Sequence, residues 1–396
     1  MFNKDSIFLI LALNSDYPEE LHDQHADYPL APERMSVKEE DLSPKQISIL
    51  QELHEQKGLT SEFRVGESHE KLIPNLRDKQ KYILHYRNLK LYLSLGMVLT
   101  KIHRVLTFKQ APWLKEYIDF NTVQRTAACN DFEKDFFKLM NNSMFGKTME
   151  NLRNRRKIDL VTSEFKFKRF AAQPTFKSYT VFHEYLVAVE RIKSELVLNR
   201  PIYIGLSVLD LSKVLMYQFH YDYVKVKYPG DRSKLLFTDT DSLVYKIRTQ
   251  NLYQDMLEDK QLFDFSGYPK DHPCYSSENK KVIGKMKDEL NGLIMKEFVG
   301  LRAKMYSLKY DKNETMTKAK GVKKYVMRGK INHADYKDCL FQNREYLHTM
   351  NSIRSEKHLL YSIKQNKTTL SSFDDKRFIL PDGISTLLYG DYCINL

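Results

Sequence analysis

Cysteine is scarce: Cys129, Cys274, Cys339 and Cys393 stand far apart in 396 residues, with no CxxC pair and no histidine at ligand spacing. This argues against a zinc site or a disulfide framework and fits a reducing compartment. The apolar run Ile7 to Leu13 is too short for a bilayer span. It follows Lys4-Asp5 and lacks a small-residue cleavage site, so it reads as a strand, and neither a signal peptide nor a membrane partner is expected. No nuclear-localisation cluster stands out. Acidic residues are in deficit, 51 against 63 Lys plus Arg, which leaves a net charge of +12. Such an excess favours a polyanionic partner, nucleic acid first, although a basic surface also serves solubility. The 42% hydrophobic and 12% aromatic content suffices for a large core and more than one domain.

The most informative stretch is Lys234 to Ile247, KLLFTDTDSLVYKI. Leu235, Phe237, Leu243 and Tyr245 share one parity, so the segment reads as two short strands around an acidic turn, with Asp239 and Asp241 in the same parity. Two carboxylates at one tip repel each other, and a divalent cation relieves this. Hard oxygen ligands on a rigid turn suit Mg2+, or Mn2+, with phosphate oxygens completing the shell. Phosphoryl or nucleotidyl transfer is the matching chemistry. A lone DTD is far more often an ordinary surface turn, so the assignment depends on its surroundings.

Residues 1–75 are polar and irregular, with Pro18, Pro29, Pro32, Pro44 and Pro74, and read as linker or peripheral structure. Their histidines, among them His22, His25, His54 and His69, are expected at the surface. Between Asp78 and Phe108, apolar Tyr82, Ile83, Tyr86, Leu89, Tyr92, Leu93, Met97 and Ile102 recur at three and four among Lys79, Lys81, Arg87, Lys90, Lys101 and Arg104. That predicts an amphipathic helix or helix pair whose basic face is either solvated or a contact for DNA phosphates. Further on, Asn130 offers a helix cap and Glu133 a capping-box acid. On that helix Lys134, Lys138, Asn142 and Phe145 fall within an arc of about 80°. Two ammonium groups, an amide and a ring on one face, followed by Gly146, suit a nucleoside triphosphate, though an ordinary amphipathic helix carries such residues too.

K-x3-N-S-x-[FY]-G followed about ninety residues later by [YF]-x-D-T-D-S resembles motifs B and C of family B DNA polymerases. NDFEKDFFKLMNNSMFGKTMEN and KLLFTDTDSLVY look like the protein-primed branch of Maverick/Polinton transposons and related viral elements. The resemblance extends to FKQAPWLKEYIDFNT, LSVLDLSKVLMYQFHY and SSFDDKRFILPDGISTLLYG. It implies an α+β fold with the right-hand polymerase architecture: an antiparallel palm sheet, helical fingers and a thumb. The expected divisions are the linker to 75, a basic helical insertion over 76–129, the fingers helix over 130–155, a second basic insertion over 156–205, the palm over 206–312 and the thumb over 313–396. Within them, Ser207 to Lys225 reads as a helix capped by Ser207 with Asp210 as capping-box acid, its Leu211, Val214, Leu215 and Phe219 in the palm core. Residues after 330 show mostly helical patterns.

By the same resemblance Asp239 and Asp241 are the catalytic metal ligands. Lys134, Lys138, Asn142, Phe145 and Gly146 bind the incoming nucleotide, and Lys304 and Tyr306 of a K-x-Y motif hold the primer end. Strand alternation over Glu297 to Tyr310 would put Arg302, Lys304 and Tyr306 on one face. Lys318, Lys320, Lys323, Lys324, Arg328 and Lys330 then follow, suited to backbone phosphates or to a solvated loop. The implied partners are a DNA primer-template, deoxynucleoside triphosphates and, for initiation, a terminal protein whose hydroxyl replaces the primer end.

Motif A, D-x-x-[SN]-L-Y-[PG], is missing. In Ala12-Leu13-Asn14-Ser15-Asp16-Tyr17-Pro18 the aspartate position is Ala12, and in Asp23-Gln24-His25-Ala26-Asp27-Tyr28-Pro29 the apolar position is Asp27, a poor fit beside a palm strand. The expectation is therefore a polymerase portion lacking motif A and the exonuclease domain, with impaired activity, or a non-catalytic DNA-binding remnant. A metal-dependent nuclease would leave motif B unexplained.

Overall fold

The segment Ile7–Asp16 buries Leu11, Leu13 and Ser15 and leaves Ala12 and Asn14 between them half-exposed, and it is the middle strand of a sheet between Lys79–His85 and Val98–Lys109. The computed structural model describes residues 7–58, 61–66, 68–109, 111–311, 314–356 and 359–395, so Lys4 and Asp5 lie outside the described residues. Helices and small two- and three-stranded sheets are mixed throughout. The chain forms two compact units, one of residues 11–105, 211–350 and 364–396, the other of 1–10, 106–210 and 351–363.

In the larger unit, part of the stretch expected as linker, from Leu11 to Leu53, contributes to the core. Leu13, Tyr17, Leu30 and Ala31 join Leu84, Tyr92, Tyr217 and Tyr221 in one apolar cluster. Ser43 and Gln46 form a reciprocal capping box with Pro44 at the first turn, and the resulting Pro44–Gln56 helix buries Ile49 and Leu53 against Ile379. His22 and His25 are buried, contrary to the surface placement expected for them. Their neighbours explain it, since Tyr17 and Tyr221 pack edge-on to His25 and Tyr392 packs on His22.

The expected helix over 78–108 is strand, helix and strand, with only Tyr86–Ser94 helical. The second strand is exposed on both faces along most of its length, so nothing imposes a two-residue apolar period on it. Lys79 is not on a basic outer face either. It is buried, with Nζ 3.0 Å from Glu33 Oε2 and 3.3 Å from the Asn75 carbonyl.

The helix expected from Ser207 begins at Ile202, and the Ser207 hydroxyl donates to the Tyr203 carbonyl instead of capping. A π-helical turn at Phe219–Val224 shifts its buried stripe to Met216, Tyr217, His220, Tyr221 and Val224, while Leu215 is exposed. Ile202–Lys227 is long and apolar enough by composition to cross a membrane, and 22% of its apolar window is buried, with Tyr217 and Tyr221 in the apolar cluster. Residues after 330 hold more strand than helix: Tyr346–Glu356, Leu359–Leu370 and two short strands follow the His333–Phe341 helix. β-Branched and aromatic residues and an exposed hairpin explain the difference.

The smaller unit contains a helical hairpin, Lys115–Ala127 and Asp131–Thr148, and a three-stranded sheet in the order Lys157–Val161, Leu186–Arg191, Phe176–His183. The sheet's edge strand Phe176–His183 is rich in β-branched and aromatic residues, Tyr179, Thr180, Val181 and Phe182 among them.

Candidate functional site

The acidic stretch is a hairpin of Ser233–Asp239 and Ser242–Ile247, with Asp239 opposite Ser242 and Thr240-Asp241 as the two-residue tip. The turn is tight: the Asp241 N–H donates to the Asp239 carbonyl at 2.7 Å, and Thr240 has φ 59°. A β-branched residue in the left-handed region is strained. A bulge between Val244 and Tyr245 shifts the register: Val244 still lies opposite Phe237, in step with the tip, but Tyr245 falls opposite Leu235, so Leu236 is the extra residue.

A second hairpin lies against the first. The single strand expected over Glu297 to Tyr310 is Met295–Arg302 and Met305–Tyr310, antiparallel, so Lys304 sits in the turn at φ 61° and Arg302 pairs with Met305. Arg302, Lys304 and Tyr306 therefore do not form one alternating face. Phe237 and Tyr306 rings, 4.6 Å apart, join the two hairpins, with Phe298 6.0 Å from Tyr306. This brings Lys304 Nζ to 3.0 Å from Asp239 Oδ1. Asp241 is exposed, and no cation among the described residues pairs with it. Burial, then the charges of Glu289 and Asp239, raise the Tyr306 phenol, which stays protonated at neutral pH.

The third strand, Thr315–Ala319, places Lys318 opposite Tyr306, and the Lys320 N–H donates to the Lys304 carbonyl at 3.1 Å. Gly321 turns the chain at φ 85° into the Lys324–Lys330 helix. Lys318, Lys320, Lys323, Lys324, Arg328 and Lys330 are all exposed, and no carboxylate among the described residues pairs with any of them. The sequence-predicted cations thus form a strip continuous with the Lys304 turn.

Sequence reasoning missed how the acidic hairpin is anchored. Asp27 Oδ1 lies 2.8 Å from Lys234 Nζ, and its Oδ2 accepts from the Leu235 N–H at 3.4 Å and Lys225 Nζ at 3.5 Å. Burial alone would raise this carboxyl, but Lys234 and Lys225 hold it below its ordinary value. A buried charge beside a motif strand is tolerated because it is paired. On the other strand, the Tyr245 hydroxyl meets His220 Nδ1 at 2.8 Å and the rings stack 5.8 Å apart. No local signal announced this anchor, because Lys225 and Lys234 lie some two hundred residues from Asp27.

In the smaller unit, the Asp131–Thr148 helix carries the other predicted set. Asn130 caps it by accepting from the Glu133 N–H at 2.9 Å, while Glu133 accepts from the Cys129 N–H, one residue before the capping-box position. Lys134, Lys138 and Asn142 are exposed and Phe145 is half-buried. Lys134 reaches Asp131 at 3.2 Å, whereas Lys138 pairs with no carboxylate among the described residues. A side chain at Gly146 would meet nothing within 4 Å, so the chain itself does not require glycine there.

Hairpins, ion pair and basic strip define a mixed helix-and-sheet protein that presents carboxylates and cations together. Solved structures to which it is similar include those of Phi29 DNA polymerase. The orthorhombic crystal form matches at 16% identity and TM-score 0.43, over 92% of this chain and 58% of that one. The complex with primer-template DNA and incoming nucleotide substrates matches at 15% identity and TM-score 0.44, over 93% and 59%. This chain thus spans less than two thirds of the structures it matches. No protein-family model and no curated protein sequence matches it.

Proposed function

We propose that the chain is the nucleotidyl-transfer portion of a DNA polymerase of the protein-primed family B kind, acting on a primer-template with deoxynucleoside triphosphates. The observation that carries this reading is Asp239 and Asp241 at one strained tip, with Lys304 of the K-x-Y sequence against Asp239 and a basic strip beside it. The donor set fits a hard divalent cation. Both groups are carboxylates, one already accepts a cation in Lys304, and the other is exposed. Asp239 and Asp241 would hold Mg2+ or Mn2+, which when bound supplies charge neutralisation at the triphosphate and a more acidic attacking hydroxyl.

The remaining roles belong to the chain's own side chains. Lys134 and Lys138 bind triphosphate oxygens, Asn142 and Phe145 flank the nascent base pair, and Gly146 leaves open space for it. Lys304 and the protonated Tyr306 position the primer end, whose hydroxyl, or that of a terminal protein, attacks the α-phosphate and releases pyrophosphate. Lys320, Lys323, Lys324 and Arg302 contact backbone phosphates. The palm, fingers and thumb assignments for 206–312, 130–155 and 313–396 belong to this proposal.

Primer extension with Mg2+ and all four deoxynucleotides tests it. Weak extension by the native chain, its loss in Asp241→Asn and DNA affinity unchanged within about twofold are expected, since motif A is missing and the exposed Asp241 carboxylate contributes no attraction to phosphate. Equal extension by Asp241→Asn would refute the site. A second reading, a DNA-binding protein without catalysis, is favoured by one observation: the described residues contain no group of three His, Cys, Asp or Glu side chains placed to hold a metal ion. DNA binding without extension under all divalent-ion conditions would select it.

A further inference from the structure

A cavity of about 420 Å³ in the smaller unit is walled by Arg155, Arg156, Lys157, Lys193 and Arg200, with Glu195 as its one carboxylate. It lies just beyond the helix that ends at Thr148. Lys138 is ten residues, about 15 Å, back along the helix axis, so the cavity is separate from the nucleotide face proposed above.

The cations are organised by Glu150. Its carboxylate accepts from Arg155 Nε and Nη2 at 2.6 and 2.8 Å, from Arg200 Nε at 3.1 Å and from Lys147 Nζ at 2.9 Å. Hydrogen bonds from Arg155 and then Lys147 pull its pKa to about 2, so it remains charged at any working pH. One carboxylate cannot neutralise three cations, and the rest of the wall is less well paired. Arg156 reaches Glu190 only at 3.9 Å, Lys193 Nζ donates to the Leu152 carbonyl at 3.2 Å, and Lys157 meets no carboxylate among the described residues. Buried Leu152, with Leu196 and Val197, adds an apolar surface.

Clustered guanidinium and ammonium groups favour an oxyanion, because two guanidinium forks match phosphate oxygens. The volume falls within the range of small-ligand sites, about 300–1,000 Å³. We propose that this cavity is a second phosphate-binding site, which takes nucleotide phosphates on Arg155, Arg200 and Lys193 with the base against Leu152 and Leu196. Two sources carry that chemistry, a free nucleotide and a single strand passing over the surface.

The test uses the full chain without divalent ions, so failure of the transfer chemistry has no bearing on it. Two probes are titrated by fluorescence anisotropy, a labelled oligothymidylate and a labelled deoxyadenosine triphosphate. The proteins are wild type, Arg156→Glu/Lys157→Glu at the exposed rim, Lys193→Gln within the cavity, and Lys270→Glu/Lys280→Glu as a charge-matched control. Circular dichroism confirms that each is folded. Both cavity variants should weaken one probe at least about tenfold more than the control, the charge-reversal variant also flattening its salt dependence. Loss confined to the triphosphate identifies a free nucleotide as ligand; loss of the oligonucleotide identifies a strand. Affinities equal to the control for both probes would overturn the proposal.

Discussion

Asp239 is the residue on which the acidic tip turns. Its pair with Lys304 links the two hairpin tips, both built around residues in the left-handed region. Lys304 occupies a position that a divalent cation would contest, so its removal leaves Asp239 uncompensated beside Asp241. Lys304→Met is expected to tighten Mn2+ binding at the tip by about two- to fivefold, the value of a half-exposed ion pair, as read by electron paramagnetic resonance. Unchanged or weaker binding would show that Lys304 does not compete there. The identities of these residues were legible in the sequence, because DTDS and K-x-Y are short motifs at a fixed offset. Their contact was not, since it depends on Phe237, Phe298 and Tyr306 stacking across strands far apart in the chain. Asp27 was misjudged for the same reason: its partners Lys225 and Lys234 lie some two hundred residues away.

Among the elements, the acidic hairpin and the Asp131–Thr148 helix were readable from local signals, alternation around a polar turn in one and an asparagine cap in the other. The Val98–Lys109 strand was not, because exposure removes the pattern that reports a strand. The helix ending in the π-turn was half read: its existence follows from apolar content, but its buried face depends on a local change of period. That turn and the His22–His25 segment give the fold a defined response to acid. Burial lowers the pKa of both His25 and His220 to about 4. Their folded values lie below that of the unfolded chain, so stability is complete above pH 6.5. As pH falls from there towards 4, the unfolded chain takes up protons that the folded chain refuses. The expected loss is up to about 3 kcal/mol for each histidine. Urea unfolding at pH 7, 5.5 and 4.5 measures it, and His220→Gln should reduce the slope; an identical profile would show that His220 does not contribute.

For the whole molecule, the net charge of +12 acquires a location. The cations Lys318, Lys320, Lys323, Lys324, Arg328 and Lys330 are exposed and pair with no carboxylate among the described residues, whereas Lys79, Lys225, Lys227 and Lys234 direct their charge to Glu33, Asp27 and Asp259. Composition could give the excess but not this division. Lys320→Glu/Lys323→Glu/Lys324→Glu is therefore expected to lower DNA affinity and to reduce the slope of log affinity against log salt by about two to three, as filter binding across 50–200 mM salt would show. A parallel salt line would place the contact elsewhere.

One irregular segment has a consequence for how the protein comes apart. Tyr17 and Tyr92 hydroxyls accept from the Leu30 and Ala31 N–H groups, and Tyr82, Tyr217 and Tyr221 donate to the Pro32, Pro29 and Tyr28 carbonyls. A run with two prolines and no regular secondary structure is thereby hydrogen-bonded almost as fully as a strand, by side chains instead of a neighbouring backbone. To a protease or to exchanging solvent it is interior: its amide protons should persist in heavy water until the surrounding cluster opens, and a nick within it should appear last.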